Sequence, residues 1–227
     1  QEWSDNMKMC GTPKIKKYSN ATSSVSITFV PDWKRFGMSK MDDSIYKIFE
    51  KRVYDANICT SQNCKVKFQG EALAKASFNT YAKMYTKSDE ICTFTSDRWS
   101  VCIAPSDDGF EHVSFVNGIC TTKGGSHVDH VSGILANGVI EDMAKKIKLR
   151  PQQVKNAFFI FVKATLVNPS FSSQVKSECT LKPQDFGSKF EPPKTFIKNI
   201  LKTSVQSELM ALSKFREMKE LKKTDGS

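Results

Sequence analysis

The sequence predicts a mixed α/β (α+β) fold, and three observations carry that prediction. From Lys65 onward helical and strand-like patterns alternate. One stretch repeats Val128, Val131, Leu135, Val139 and Met143 at helical spacing. The run "AFFIFVKATLV" over 157–167 is apolar almost throughout, as in a strand buried on both faces. With 39% hydrophobic residues in 227, the chain can furnish an ordinary core.

Taken in order, residues 13–19 ("PKIKKYS") and 23–31 ("SSVSITFVP") read as strands, because β-branched and aromatic residues are bounded by Asn, Ser and Pro. "NAT" at Asn20 joins them; it also matches a glycosylation triplet, but without a secretory signal a turn is the simpler reading. No earlier strand completes their sheet, so they are expected to be the tail of an upstream domain. A helix is expected over 42–57, capped by Asp42 or Asp43, with Ile45, Ile48, Phe49 and Val53 on its apolar face. Strands are expected in "KVKFQG" (65–70), "EICTFTS" (90–96), "RWSVCIA" (98–104) and "HVSFVNGI" (112–119), with a helix around "FNTYAKMY" (78–85).

The best-marked helix follows "GG": Ser126 and Asp129 resemble a capping box, and the basic "KKIKLRP" ends the helix, since Pro151 disfavours helix at the residue before it. A short helical turn over 151–156 leads into the apolar strand. The small-polar loop "NPSFSSQVKSE" (168–178) comes next. A strand-like "CTLKPQDFGSKF" (179–190), a helix from near Pro193 and a last helix over about 205–223, striped with Leu209, Leu212, Phe215 and Met218, complete the chain.

Lys plus Arg exceed Asp plus Glu by 34 to 24, a net charge of +10 that favours a polyanion such as nucleic acid without specifying one. The longest apolar run falls short of the roughly 20 residues a membrane-spanning helix needs, and no membrane partner is expected. Seven cysteines, odd in number and mostly within apolar stretches, fit an intracellular, reducing compartment. There is no initiator methionine and no signal pattern, and both ends look cut from something longer.

Several stretches could carry chemistry. "TTKGGSHVDH" could cradle a phosphate on backbone amides, but it lacks Walker spacing and a tight turn is simpler. Cys120, His127 and His130 lack a fourth ligand at finger-like spacing, so no metal site is expected. Asp107–Asp108 and Glu141–Asp142 read as solvated charge, and no nucleophile elbow occurs. Lys145, Lys146, Lys148 and Arg150 could neutralise DNA phosphates or simply form a solvated helix end. In the 168–178 loop, Gln174 and Lys176 are two residues apart. On an extended chain they would point the same way and could converge on a terminal phosphate.

"SFVNGICTTKGGSHVDHV" (114–131), "QQVKNAFFIFVKATLVNPSFSSQVKSECTLKPQDFGS" (152–188) and "KTFIKN" (194–199) resemble eukaryotic-type type IIA DNA topoisomerases, in the order and spacing of that family's transducer domain. "QEWSDNM", "SITFVPDWKRFGM" and "DRWSVC" extend the resemblance more weakly over nearly the whole chain. Divergence elsewhere suggests a fast-evolving member such as a viral one.

The resemblance implies a ribosomal S5 domain 2-like transducer over 40–204. The terminal strands of a GHKL ATP-binding domain would lie over 1–39, and a helix toward the DNA-cleavage core over 205–227. It implies ATP as cofactor, Mg2+ in the intact enzyme but not ligated here, and double-stranded DNA as partner. The working unit would be a homodimer, in the nucleus if cellular, or in the host cytoplasm or nucleus if viral. Gln174, Val175 and Lys176 stand where the family carries a Gln-Thr-Lys signature whose lysine reaches the ATP γ-phosphate. Val175 departs from that pattern by lacking the threonine hydroxyl. "AKKIKLR" falls where relatives carry a lysine-rich, DNA-facing loop, and "TTKGGSH" where they carry a structural signature. The family's catalytic glutamate, ATP lid, acidic metal site and DNA-cleaving tyrosine belong to segments outside these residues, so the fragment alone is expected to be inactive. A basic DNA-binding module without enzymatic activity and a transducer-like part of another GHKL ATPase are the alternatives; "FVNGICTTKGGSH" argues against the latter.

Overall fold

A computed structural model describes residues 1–17, 19 and 23–224, in two compact units, Gln1–Glu50 and Lys51–Ser227. In the first, β1 (Trp3–Ser4) and β2 (Met9–Cys10) pair antiparallel, a 3-10 turn spans Trp33–Phe36, and α1 (Asp43–Cys59) begins. The expected strands over 13–19 and 23–31 are not formed among the described residues, and the Asn20 turn lies outside them. A strand is completed by a hydrogen-bonded neighbour, and here Ile15, Val25, Ile27 and Phe29 stay 71–95% exposed. Asp42 caps α1 as expected, its carboxylate accepting from the Ile45 N–H at 2.9 Å. The expected apolar face of α1 is not its buried one: Ile48 and Phe49 are exposed, whereas Asp55, Asn57 and Ile58 are buried.

The second unit explains that inversion. Asp55 accepts from Lys51 Nζ at 2.8 Å and from the Tyr81 hydroxyl at 2.7 Å, tying the end of α1 to α2 (Phe78–Ala82). Satisfied in this way, the carboxylate can be buried without the penalty of an orphaned charge. Between α1 and α2, the expected 65–70 strand is instead a two-rung hairpin of β3 (Lys67–Phe68) and β4 (Glu71–Ala72).

Next come β5 (Cys92–Thr95), β6 (Trp99–Pro105), β7 (Glu111–Val116), β8 (Ile119–Cys120), β9 (Gly124–Gly125), α3 (Ser126–Met143), α4 (Pro151–Asn156) and β10 (Phe158–Ala164). After these lie β11 (Glu178–Cys179), a 3-10 turn at Pro183–Asp185, α5 (Lys194–Ile200) and α6 (Ser204–Thr224). One mixed sheet has the order β5-β6-β10-β7-β8, with β10 antiparallel to β6 and parallel to β7. That parallel pair is joined through α3 and α4, the crossover that parallel neighbours require.

The near-continuous apolar character of β10 follows from its central place. Phe158, Ile160, Val162 and Ala164 face one core cluster with Val128, Val131, Leu135, Val139 and Met143 of α3, while Phe161 faces a second with Ile58, Phe78 and Tyr81. The helical periodicity of α3 is therefore read correctly from sequence.

Four local readings need correction. "HVSFVNGI" is a hairpin, with Asn117 (φ 49) and Gly118 (φ 81) turning β7 into β8, the positive-φ pair that Asn-Gly favours. Ser126 is the first residue of α3 rather than its cap; its hydroxyl donates to the Leu181 carbonyl at 2.5 Å. Over 179–190 only Cys179 is in a strand, because Pro183 opens a 3-10 turn. The α6 stripe is split: Leu209 is buried, but Leu212, Phe215 and Met218 are 47–68% exposed.

Candidate functional site

The 168–178 loop is a hairpin with a tight tip. Phe171 and Cys179 form an antiparallel bridge, the Ser172 N–H donates to the Glu178 carbonyl at 3.1 Å, and the Thr180 N–H donates to the Ser170 carbonyl at 2.9 Å. At the tip the Lys176 N–H donates to the Ser173 carbonyl at 3.0 Å, placing Gln174 and Val175 at the two central positions of the turn. Gln174 and Lys176 thus stand at the second and last positions of a turn and not on the extended chain expected from their i, i+2 spacing. Lys176 has φ 60, a left-handed conformation that costs a residue with a Cβ about 1–2 kcal/mol. Such strain is retained where the surrounding structure over-determines it, and it concentrates at functional positions. The ammonium lies 5.8 Å from the Phe171 ring centroid, within cation–π range. Val175 is 81% exposed, so its methyl groups face solvent.

What over-determines the tip is the glycine pair. β9 and β11 pair in parallel, with Gly125 opposite Cys179, and the Lys123 N–H donates to the Ser177 carbonyl at 2.8 Å. Gly125 has φ 117, and a Cβ there would overlap the Cys179 carbonyl and lie 2.7 Å from its nitrogen. Only glycine lets these backbones approach so closely. The "GG" is therefore the clasp of the loop as well as the entry to α3. Two consecutive glycines could have signalled a close approach, but the sequence does not name Cys179 as its target. A second clamp was missed entirely: the Asn117 side chain donates to the Leu166 carbonyl at 3.0 Å and accepts from the Leu166 N–H at 2.8 Å, fixing the chain as it leaves β10.

The histidines are packing groups. His127 is fully buried, with Nε2 3.2 Å from Thr121 Oγ1, which lies 2.6 Å from Ser114 Oγ. Burial, aided by His112, lowers its pKa to about 3. Burial likewise holds His112 and His130 below the usual range, and His130 packs edge-on against Phe186. Cys120, His127 and His130 do not converge: among the described residues no group of three or more His, Cys, Asp or Glu could hold a metal ion.

At the other end of α3, exposed and inward residues alternate. Ile147 and Leu149 pack on the core, leaving Lys146, Lys148 and Arg150 exposed; Lys145 is exposed as well. Lys145, Lys146 and Lys148 line a cleft of about 430 Å³ together with Ser213 and Arg216 of α6, which sequence reading had not connected to them. The loop tip and this segment flank α3, which at 18 residues is roughly 27 Å long.

A family model described as DNA gyrase B matches residues 66–219. Over its whole length the chain is 39% identical to DNA topoisomerase 2 of Acanthamoeba polyphaga mimivirus. The chain belongs to the type IIA DNA topoisomerase family. It superposes on the crystal structure of the ATPase region of Saccharomyces cerevisiae topoisomerase II with a TM-score of 0.87 and 35% identity, covering 93% of this chain and 56% of that one. The 43K ATPase domain of Thermus thermophilus gyrase B shares the fold alone, with a TM-score of 0.56 at 15% identity over 86% of this chain and 59% of that one. The topoisomerase sequence in hand spans 18% of the mimiviral relative and corresponds to part of the family's ATPase region. No described helix is long and apolar enough to cross a membrane.

Proposed function

We propose that this chain is the transducer segment of an ATP-dependent type II DNA topoisomerase, relaying the state of bound nucleotide to DNA strand passage. The observation that carries this is Lys176, held left-handed at the tip of a hairpin whose base is clasped by Gly125. Its ammonium and the exposed Gln174 amide suit a terminal phosphate held by a neighbouring ATP-binding domain. When bound there, ATP supplies the phosphoanhydride whose cleavage drives the cycle. Lys176 would offset negative charge on the γ-phosphoryl oxygens, and loss of that partner would release the loop.

The clasp gives the loop a route to DNA. Gly125 is the N-cap of α3, so displacement of the loop bears on the start of a rigid helix whose other end leads into Lys145, Lys146, Lys148 and Arg150. These four would face the duplex. The exposed apolar residues of 13–30 suit strands that join the sheet of an upstream ATP-binding domain, and α6 would lead toward a DNA-cleavage core. The intact enzyme would act as a homodimer. Mg2+ would be held in the intact enzyme outside these residues. In the intact enzyme, Lys176→Ala should lower ATP turnover and strand passage while DNA cleavage persists; unchanged turnover would refute the assignment.

A further inference from the structure

We infer that Phe171 is a positioning residue for Lys176: its ring seats the ammonium at the loop tip and presents it, already placed, to a terminal phosphate. This rests on the reading of Lys176 as the γ-phosphate contact, and adds the group that holds the lysine there. The ammonium lies 5.8 Å from the Phe171 ring centroid, and among the described residues it forms no salt bridge. The ring face is what receives it, since the negative face of an aromatic ring attracts a cation at this range. Lys176 and Phe171 are both half-buried, whereas Gln174 and Val175 beside the lysine are exposed.

The ring is itself held. Phe171 packs against the main core cluster, and its backbone bridges Cys179, the residue that Gly125 clasps. On either side of that bridge the Ser172 N–H donates to the Glu178 carbonyl at 3.1 Å and the Thr180 N–H to the Ser170 carbonyl at 2.9 Å. A free lysine loses most of its rotamer freedom when it takes a phosphate; one already resting on a fixed ring has lost much of it beforehand. A ring face offers no lone pair, so the N–H groups turned away from it stay open to phosphate oxygens. Partial removal of water by the ring also strengthens that charge contact. Phe171→Leu would fill much of the same space yet offer the ammonium no π-face, so the role belongs to the ring and not to its bulk.

The test is stepwise fluorination of the Phe171 ring in the intact enzyme, up to 3,4,5-trifluorophenylalanine, which changes shape little but drains charge from the ring face. ATP turnover, read as kcat/KM, should fall progressively to a loss of about two- to five-fold, the range of an exposed cation–π contact. In a Lys176→Ala background the same series should change nothing. In the 227-residue chain, acetylation of Lys176 by acetic anhydride, followed by peptide mapping, should quicken by a similar factor as the ring loses its hold, a readout that needs no ATP. Turnover that stays flat across the series while Lys176→Ala still slows it would overturn this inference and leave the phosphate reading standing, and so would flat acetylation. An equal effect of fluorination with and without the lysine would make the ring a packing group and overturn the inference as well. If Lys176→Ala leaves turnover unchanged, the phosphate reading falls and this inference with it.

Discussion

Gly125→Ala tests how the loop is held. The residue has φ 117 and ψ −164, a region that is nearly glycine-only and costs other residues about 1–3 kcal/mol. Its new methyl would also overlap the Cys179 carbonyl and sit 2.7 Å from the Cys179 nitrogen. Both are backbone atoms that cannot rotate away, so relief requires the β9–β11 pair to separate, and overpacking of this kind costs about 1–3 kcal/mol more. The expected loss of about 2–6 kcal/mol is a large part of the 5–15 kcal/mol that stabilises a typical domain. Urea denaturation measures it, and native-state hydrogen exchange should show the amides of Lys123, Ser172 and Thr180 losing protection first, since their bonds form the hairpin and its clasp. Gly133→Ala, in the same helix and with no neighbouring atom within 4 Å of the new carbon, is the control and should stabilise by about 0.5–1 kcal/mol. A Gly125→Ala protein within 0.5 kcal/mol of wild type, as an order-of-magnitude threshold, would refute the clasp.

Lys176→Gly should separate stability from function. It removes the left-handed penalty, so urea denaturation should show a gain of up to about 1 kcal/mol, while ATP turnover by the intact enzyme should fall as far as with Lys176→Ala. Acid should destabilise the fold through its buried histidines. The His127 pKa falls from its ordinary 6.5 to about 3, so the unfolded chain takes up the proton first; stability is complete above pH 6.5 and is lost as pH falls toward 3. For His127 alone the loss between pH 7 and 5 is about 2 kcal/mol, and His112 and His130 shift in the same direction. Urea midpoints at the two pH values should show this loss, and His127→Asn should reduce it.

Much of the fold was legible because its signals are periodic. The α3 stripe from Val128 to Met143 and the apolar run of β10 each bury what the pattern says they should. The failures are where a local pattern was overruled from far along the chain. α1 turns Asp55 inward because Tyr81, twenty-six residues on, donates to it, and no helical-face count contains that information. Residues 13–19 and 23–31 carry strand character, but no ladder forms for them among the described residues. At the candidate site, resemblance singles out Gln174, Val175 and Lys176, whereas their geometry was not legible. The turn at Ser173, the left-handed Lys176 and the clasp at Gly125 depend on Cys179 and Ser177 meeting β9. Arg216 was missed for a related reason: it lies on a helix more than sixty residues from the lysines it joins, and spacing reveals nothing about such a pairing.

The most direct test of the central claim is affinity labelling of the intact enzyme with an ATP analogue carrying an amine-reactive group on its γ-phosphate, followed by peptide mapping. The account predicts modification of Lys176 within "SSQVKSE", prevented by excess ATP. Saturating, ATP-protected labelling that leaves Lys176 unmodified and falls only on other lysines would contradict it.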